Sequence, residues 1–270
     1  MRILITGAGS GIGHDAAFEL ARRGHEVLAT TRTADQAGEL AREAEGLGVK
    51  LDVMKLDVTV QADVDQVKDQ TFDVVLSNAG VGESGPLVEI PFERVEKLFE
   101  TNVLGGLRVV QATVPQMIAK KSGRVILVSS IAGRLVIPYL GMYNMTKFSV
   151  EAMGDALRLE LKQFGIKVSL IEPGLIGTGF NERMASTKYE WLTNKSAFVA
   201  SIKKMKAHDA GLTAVSYSTK PVIAAIVHAI ESPRPKARYI APNSYRWSVD
   251  SLAVIPIFLK DRIASWVAGV

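Results

Sequence analysis

Tyr143 and Lys147 stand four residues apart in a stretch, 142–164, whose apolar residues recur at helical spacing. On a helix the phenol and the ammonium would share one face. A free phenol titrates near ~10 and exchanges its proton poorly at neutral pH. A neighbouring ammonium stabilises the phenolate and brings it toward the working range, which makes a general acid and base. Ser130 lies thirteen residues before Tyr143, with Ser129 beside it, just past the apolar run 124–128. A serine at the carboxyl edge of a strand can donate to a substrate oxygen and fix it for attack. Strand alternation turns the two serines in different directions.

A second group of residues suits a phosphate rather than a proton. Thr6-Gly7-Ala8-Gly9-Ser10-Gly11-Ile12-Gly13 leaves one apolar run and opens a helical one. Glycines allow a tight turn and a close approach to a diphosphate, and a helix N-terminus adds free N–H groups and positive potential. The spacing of Gly7, Gly11 and Gly13 is G-x-x-x-G-x-G, and its place after a first strand makes it a nucleotide loop. After the second apolar run comes Thr30-Thr31-Arg32, where an NAD enzyme would carry an acid for the ribose 2′-hydroxyl. A guanidinium there suits a 2′-phosphate, so NADP(H) is expected over NAD(H).

The elements that must hold these residues alternate along the chain. Short β-branched runs at 3–5, 26–30, 49–54, 73–76, 124–128 and 167–171 are separated by helix-period stretches at 11–23, 34–47, 92–118 and 142–164. Near-continuous apolar strands between helices predict a parallel sheet covered on both faces, and right-handed crossovers make it doubly wound. One α/β domain of the Rossmann type is expected over 1–243. Within it, 175–218 has no strong strand but carries Phe180, Met184, Tyr189, Trp191, Phe198 and Met205. A helix over 220–231 and a strand at 238–241 follow, and 244–270 reads as an appended helical tail with apolar faces.

Composition removes other classes. The chain has no cysteine, so disulfides and thiolate metal sites are excluded, and His14, His25, His208 and His228 show no ligand spacing, so no metal is expected. A formal charge of +4 spread over 270 residues does not argue for nucleic acid. Met1 runs directly into Arg2-Ile3-Leu4-Ile5, leaving no room for a signal peptide, and no apolar run approaches the ~20 residues of a membrane helix. The expectation is a soluble, cytoplasmic protein.

The glycine loop and the later residues together resemble the short-chain dehydrogenase/reductase family in its compact single-domain form. The likeness runs in order through Thr6–Gly13, Leu56-Asp57-Val58, Ser77-Asn78-Ala79-Gly80, Asn102, Ser129-Ser130, Tyr143–Lys147 and Pro173-Gly174 to Thr178. It implies that Ser130, Tyr143, Lys147 and Asn102 are catalytic. Ser130 is preferred over Ser129 because Gly133 completes a Ser-x-x-Gly pattern. Lys147 would also bind the nicotinamide ribose, and Asn102 would hold a water that relays protons from it. Asn78, Ala79 and Gly80 would shape the adenosine side, and Asp57, with Val58, would meet the adenine amino group or cap the next helix. Pro173, Gly174, Ile176 and Thr178 would border the nicotinamide, together with Gly9, Ser10 and Ile12 of the loop. The resemblance also implies a homodimer or homotetramer through 92–118 and 142–164.

The substrate is the least legible part. Aromatic residues of 175–218 on one side and Leu135, Val136, Ile137, Leu140 and Met142 on the other favour an apolar carbonyl or secondary alcohol, such as a steroid, retinoid, polyketide or fatty-acyl compound. Lys203, Lys204 and Lys206 read as a solvated helix face. The tail, with Leu252–Leu259 and then Lys260, Asp261 and Arg262, is expected to seal a groove or subunit contact rather than lie on a membrane. A catalytically silent NADP(H) sensor or scaffold is the alternative, disfavoured because such proteins lack the tyrosine or lysine. Epimerisation or dehydration on the same fold would come with the other glycine spacing.

Overall fold

The computed structural model describes residues 1–214 and 217–268, apart from the side chains of residues 208, 211–214, 253–254 and 266–268. His208 as a side chain and the last two residues of the tail therefore lie outside the described residues.

Seven parallel strands form one sheet in the order β3-β2-β1-β4-β5-β6-β7. They are β1 (Arg2–Ile5), β2 (Glu26–Thr31), β3 (Asp52–Lys55), β4 (Val74–Ser77), β5 (Gly123–Val128), β6 (Ile166–Pro173) and β7 (Arg238–Ala241). Register is fixed by pairs such as Ile3 with Val27 and Val74, and Val125 with Val168. Alternate residues of each strand go to opposite faces. Ile3, Ile5, Val74, Leu76 and Ile126 pack on α1 (Gly11–Arg22), on α2 (Ala34–Gly46) and, beyond β6, on the late helix Lys220–Glu231. Leu4, Val75, Val125 and Leu127 pack on the short α3 (Gln61–Asp65), which the sequence reading missed, and on the helices that end at Lys120 and Leu161. With both faces buried, the central strands β1, β4 and β5 read as nearly unbroken apolar runs, while the edge strand β3 (Asp-Val-Met-Lys) does not.

Strand order reverses between β1 and β4. Their carboxyl ends splay apart there, and a doubly wound sheet binds its ligand in that crevice. The loop after β1 is the glycine loop, and the loop after β4 is Asn78-Ala79-Gly80.

Three expected elements are corrected. The third strand is Asp52–Lys55 rather than 49–54, because Val49 still closes the end of α2 by donating to Ala44 O at 2.9 Å. The helix of 92–118 is broken into α4 (Phe92–Phe99), a π-helical segment Glu100–Gly105, and α5 (Gly106–Lys120). That of 142–164 is α6 (Gly141–Leu161) closed by a 3-10 turn. Beyond β6 come α7 (Phe180–Trp191), α8 (Ile202–Ala214), α9 (Lys220–Glu231), then β7, α10 (Ser244–Val254) and α11 (Ile257–Ala268). α10 lies against the sheet end, where Tyr245 fills the space over Gly174 that a Cβ would need, and Val249 is buried. No described helix is long and apolar enough to cross a membrane.

Candidate active site

The crevice between β1 and β4 opens into a cleft of about 950 Å³. One end is the glycine loop. Gly7 and Gly11 have φ of +70° and +61°, a left-handed backbone that a side chain resists. A Cβ on Gly11 would stand 3.0 Å from Thr178 Cβ, so this loop and the start of α7 close on each other. Ser10 caps α1 with extended backbone and no side-chain bond, and the first turn carries no acid, so the helix dipole faces the cleft uncompensated. Ile12 and Gly9 also line the cleft. Gly13 does not: its missing Cβ leaves space for Gly7 O and Asn78 Nδ2 behind the loop. Asn78 donates to Thr6 O and Gly7 O, each at 3.0 Å, and Thr6 Oγ1 accepts from the backbones of Asn78 and Ala79. The residues after β4 therefore hold the loop in shape.

Arg32, at the end of β2, lines the same cleft, is exposed, and has no ion pair or hydrogen bond among the described residues. Asp57 and Val58 form the opposite lip. Asp57 Oδ1 accepts from Thr59 N and Oγ1 at 2.9 and 2.8 Å. It caps a turn and not α3, whose N-cap is Val60.

At the other end stand Ser130, Tyr143 and Lys147, with Pro173, Gly174, Ile176 and Thr178 beside them. Ser130 Oγ accepts from Ala132 N at 3.1 Å and faces Tyr143, whereas Ser129 turns its hydroxyl toward Glu151. Asn144, next to Tyr143, donates to Ala132 O and Leu135 O at 2.8 and 2.7 Å and so braces the serine loop from α6. Lys147 Nζ donates to Val128 O at 2.9 Å and lies 5.7 Å from the Tyr143 ring centre. Burial lowers its pKa to about 8, against the pull of the Glu151 charge, so it is largely protonated at neutral pH. Burial pushes the Tyr143 phenol up, with Ser130 opposing, so Tyr143 holds its proton.

A parallel sheet with this loop at its switch point and a tyrosine–lysine pair in the same cleft meets a family in known sequences. The profile described as short chain dehydrogenase matches residues 1–189. The chain belongs to that family. As an NAD(P)-dependent short-chain dehydrogenase/reductase, it is 33% identical to the uncharacterized oxidoreductase YbbO of Escherichia coli K12 over 97% of this chain and 93% of that one. It is 30% identical to human 17-beta-hydroxysteroid dehydrogenase type 1 over 90% and 78% of the two chains. In space it matches a short-chain dehydrogenase from Sphingobium yanoikuyae in complex with NADPH, with a TM-score of 0.72, 25% identity, and 93% and 91% of the chains covered.

Two further parts of this dehydrogenase surround the site. Asn102 sits in the π-helical segment behind the cleft wall. Its Oδ1 accepts from Val81 N at 2.8 Å, and its Nδ2 donates to Val81 O at 2.9 Å and Thr146 Oγ1 at 3.2 Å. The carboxamide braces the backbone after β4, with both amide hydrogens used and one acceptor site of Oδ1 left beside Gly80 of the cleft wall. Asn102→Ala strands the half-buried Val81 groups and should cost about 2 kcal/mol, a fall in Tm of about 4–8 °C in a thermal melt.

On the substrate side the expected wall residues divide. Leu140 packs with Ala132, Tyr143, Phe180 and Met184, but Val136 is exposed and Met142 faces the core. From α7, Phe180 covers Tyr143 at 5.8 Å between ring centres. Tyr189 turns away to donate to Asp209 at 2.7 Å, and Lys206 rests on its ring. Trp191 and Met184 fill the spaces over Gly85 and Gly82, and Ser84 Oγ donates to Met184 O at 2.6 Å, so α7 is latched to the loop after β4. Lys97 and Arg183 line the cleft and were missed. Lone cations on amphipathic helices carry no signal that separates them from solvated surface.

Proposed function

We propose that the chain is an NADP(H)-dependent carbonyl reductase or secondary-alcohol dehydrogenase acting on an apolar substrate. The observation that carries this reading is the presence of Ser130, Tyr143 and Lys147 at one end of a cleft whose other end is the glycine loop. The cleft fits a dinucleotide: its turn is open where Cβ atoms would close it, and a bare helix N-terminus faces the diphosphate position. Gly7, Gly9, Ser10, Gly11 and Ile12 would hold the diphosphate, Asp57, Val58, Ala79 and Gly80 the adenosine, and Pro173, Gly174, Ile176 and Thr178 the nicotinamide.

The nicotinamide, when bound, supplies or accepts the hydride. Ser130 donates to the substrate oxygen and fixes it against Tyr143. The Tyr143 phenol gives that oxygen its proton on reduction and takes it back on oxidation. Lys147, charged at neutral pH, stabilises the phenolate left behind and lies within reach of ribose hydroxyls. Asn102 contributes by holding the wall at Val81. Phe180, Leu140 and Met184 make the ground around the phenol apolar, in keeping with the steroid dehydrogenase among the relatives. Exposed Met145, Phe148 and Leu159 on α6 and Leu104 on the segment between α4 and α5 suit a homo-oligomer.

Arg32 carries the cofactor preference. Titration calorimetry should show NADPH binding more tightly than NADH, and Arg32→Ala should weaken NADPH by about 10–100-fold, the worth of one charge-assisted bond, while sparing NADH. Equal binding of both cofactors by the native chain would remove the NADP(H) assignment. Turnover of a panel of ketones with NADPH tests the activity itself.

A further inference from the structure

Behind Lys147, away from the cleft, two carboxyl groups lie inside the protein. Glu151 follows Lys147 by one turn of α6 and Tyr143 by two, so the three share a face. Glu172, fully enclosed on β6, precedes Pro173, whose carbonyl accepts from Ser130 at 3.3 Å. Arg238 on β7 reaches both acids, with Nε 3.1 Å from Glu151 Oε2 and 3.2 Å from Glu172 Oε1, and Nη2 2.6 Å from Asp155. Arg134 approaches Glu172 Oε2 at 3.5 Å and pairs with Asp250 of α10 at 3.1 Å. Ser129 turns its hydroxyl toward Glu151, and Gly133 leaves them room, since a Cβ there would stand 2.9 Å from Glu151 Cγ and from Ser129 Oγ.

Lys147 needs such a neighbour. An enclosed ammonium without an opposite charge gives up its proton. β5 offers it a carbonyl, the π-helical segment a neutral amide and α6 a neutral phenol. The opposite charge that acts on it is Glu151. Glu151 in turn faces Glu172, Arg238, Arg134 and Asp155. Two carboxylates enclosed together do not both stay ionised easily. Burial pushes both up, the arginines oppose it, and the charge of Glu151 pushes Glu172 further, so Glu172 takes the first proton and Glu151 keeps its charge.

We propose that Glu151 is a positioning residue for the reaction: held by Arg238 in a buried pair with Glu172, it is the counter-charge that keeps Lys147 an ammonium. The proposal rests on the oxidoreductase reading for its purpose, while its charge relation is testable without turnover. In the cofactor-free chain, with lysine labelled with carbon-13 at Cε, the Lys147 resonance, assigned by its loss in Lys147→Met, is followed against pH. It should titrate near 8 in the native chain. In Glu151→Gln the midpoint should fall to about 7 or below, a tenfold change in the protonated balance. Glu172→Gln leaves Glu151 the only acid of the pair, so the midpoint should stay or rise. Glu151→Asp keeps a charge one methylene farther away and should fall in between, which decides the matter if Glu151→Gln does not fold. A midpoint unmoved by both Glu151 variants, or lowered equally by Glu172→Gln, overturns the proposal. An inactive native chain with Lys147 titrating as expected would sink the oxidoreductase reading instead. An active one with an unmoved midpoint would sink the counter-charge alone.

Discussion

Tyr143→Phe should lower kcat/KM for ketone reduction by about 10²–10⁴-fold, the usual contribution of a positioned general acid. The substitution removes one oxygen and leaves the ring, so Phe180 and Lys147 keep their packing. Calorimetric NADPH affinity should be nearly intact, since on the proposed reading the loop, Asp57 and Lys147 would hold most of the dinucleotide. The phenol is buried with the Ser130 hydroxyl as its neighbour, so its loss should not lower Tm. Loss of turnover with binding and melting unchanged is therefore the expected signature. Substantial turnover in the variant would show that the proton moves by another group.

The glycine loop should answer two similar substitutions in opposite ways. A Cβ on Gly13 would overlap the Gly7 carbonyl and Asn78 Nδ2, and the backbone oxygen cannot move aside without distorting the turn. Gly13→Ala should therefore cost about 1–3 kcal/mol by overpacking, read as a fall in Tm of about 2–4 °C per kcal/mol. A Cβ on Gly9 meets nothing closer than 3.6 Å, with ordinary contacts to Gln36 and Thr31, but it enters the cleft. Gly9→Ala should leave Tm unchanged while weakening NADPH in calorimetry. If both variants melted normally and bound normally, the loop would not be shaped for a close-approaching ligand.

Parts of this design are legible in the sequence because they obey a period or a steric rule. Tyr143 and Lys147 announce their common face by a spacing of four, and the strands announce themselves because a sheet buried on both sides must be apolar throughout. Other parts follow no such rule. The five residues of α3 are too few for a period, and they are held by burial of Val64 and by Asp63, which accepts from Asp57 N and pairs with Lys55. The apolar 49–51 resembles strand but serves the exit from α2. Met142 is expected along the substrate wall, and the α6 register leaves it buried while Val136 of the same stretch is exposed. Asn102 reads as an asparagine whose amide must be used, but the backbone it binds, at Val81, lies beyond any local pattern. The Glu151–Glu172 pair joins two elements through Arg238 on a third, and nothing local in any of them announces it.

The π-helical segment between α4 and α5 has a further meaning. A π turn accommodates one residue more than the α turns on either side, and such bulges concentrate at functional sites. Here the extra residue sets the angular offset between α4, which lends Lys97 to the cleft, and α5, which packs Val109 and Val110 under the sheet. Removing a residue other than Asn102 from Glu100–Gly105 would let the ordinary ladder reform with α4 and α5 nearly in phase, but it would abolish the widened turn. Asn102 would then lose the turn from which its carboxamide reaches Val81. At this place the chain is constrained in its count of residues more than in their identity.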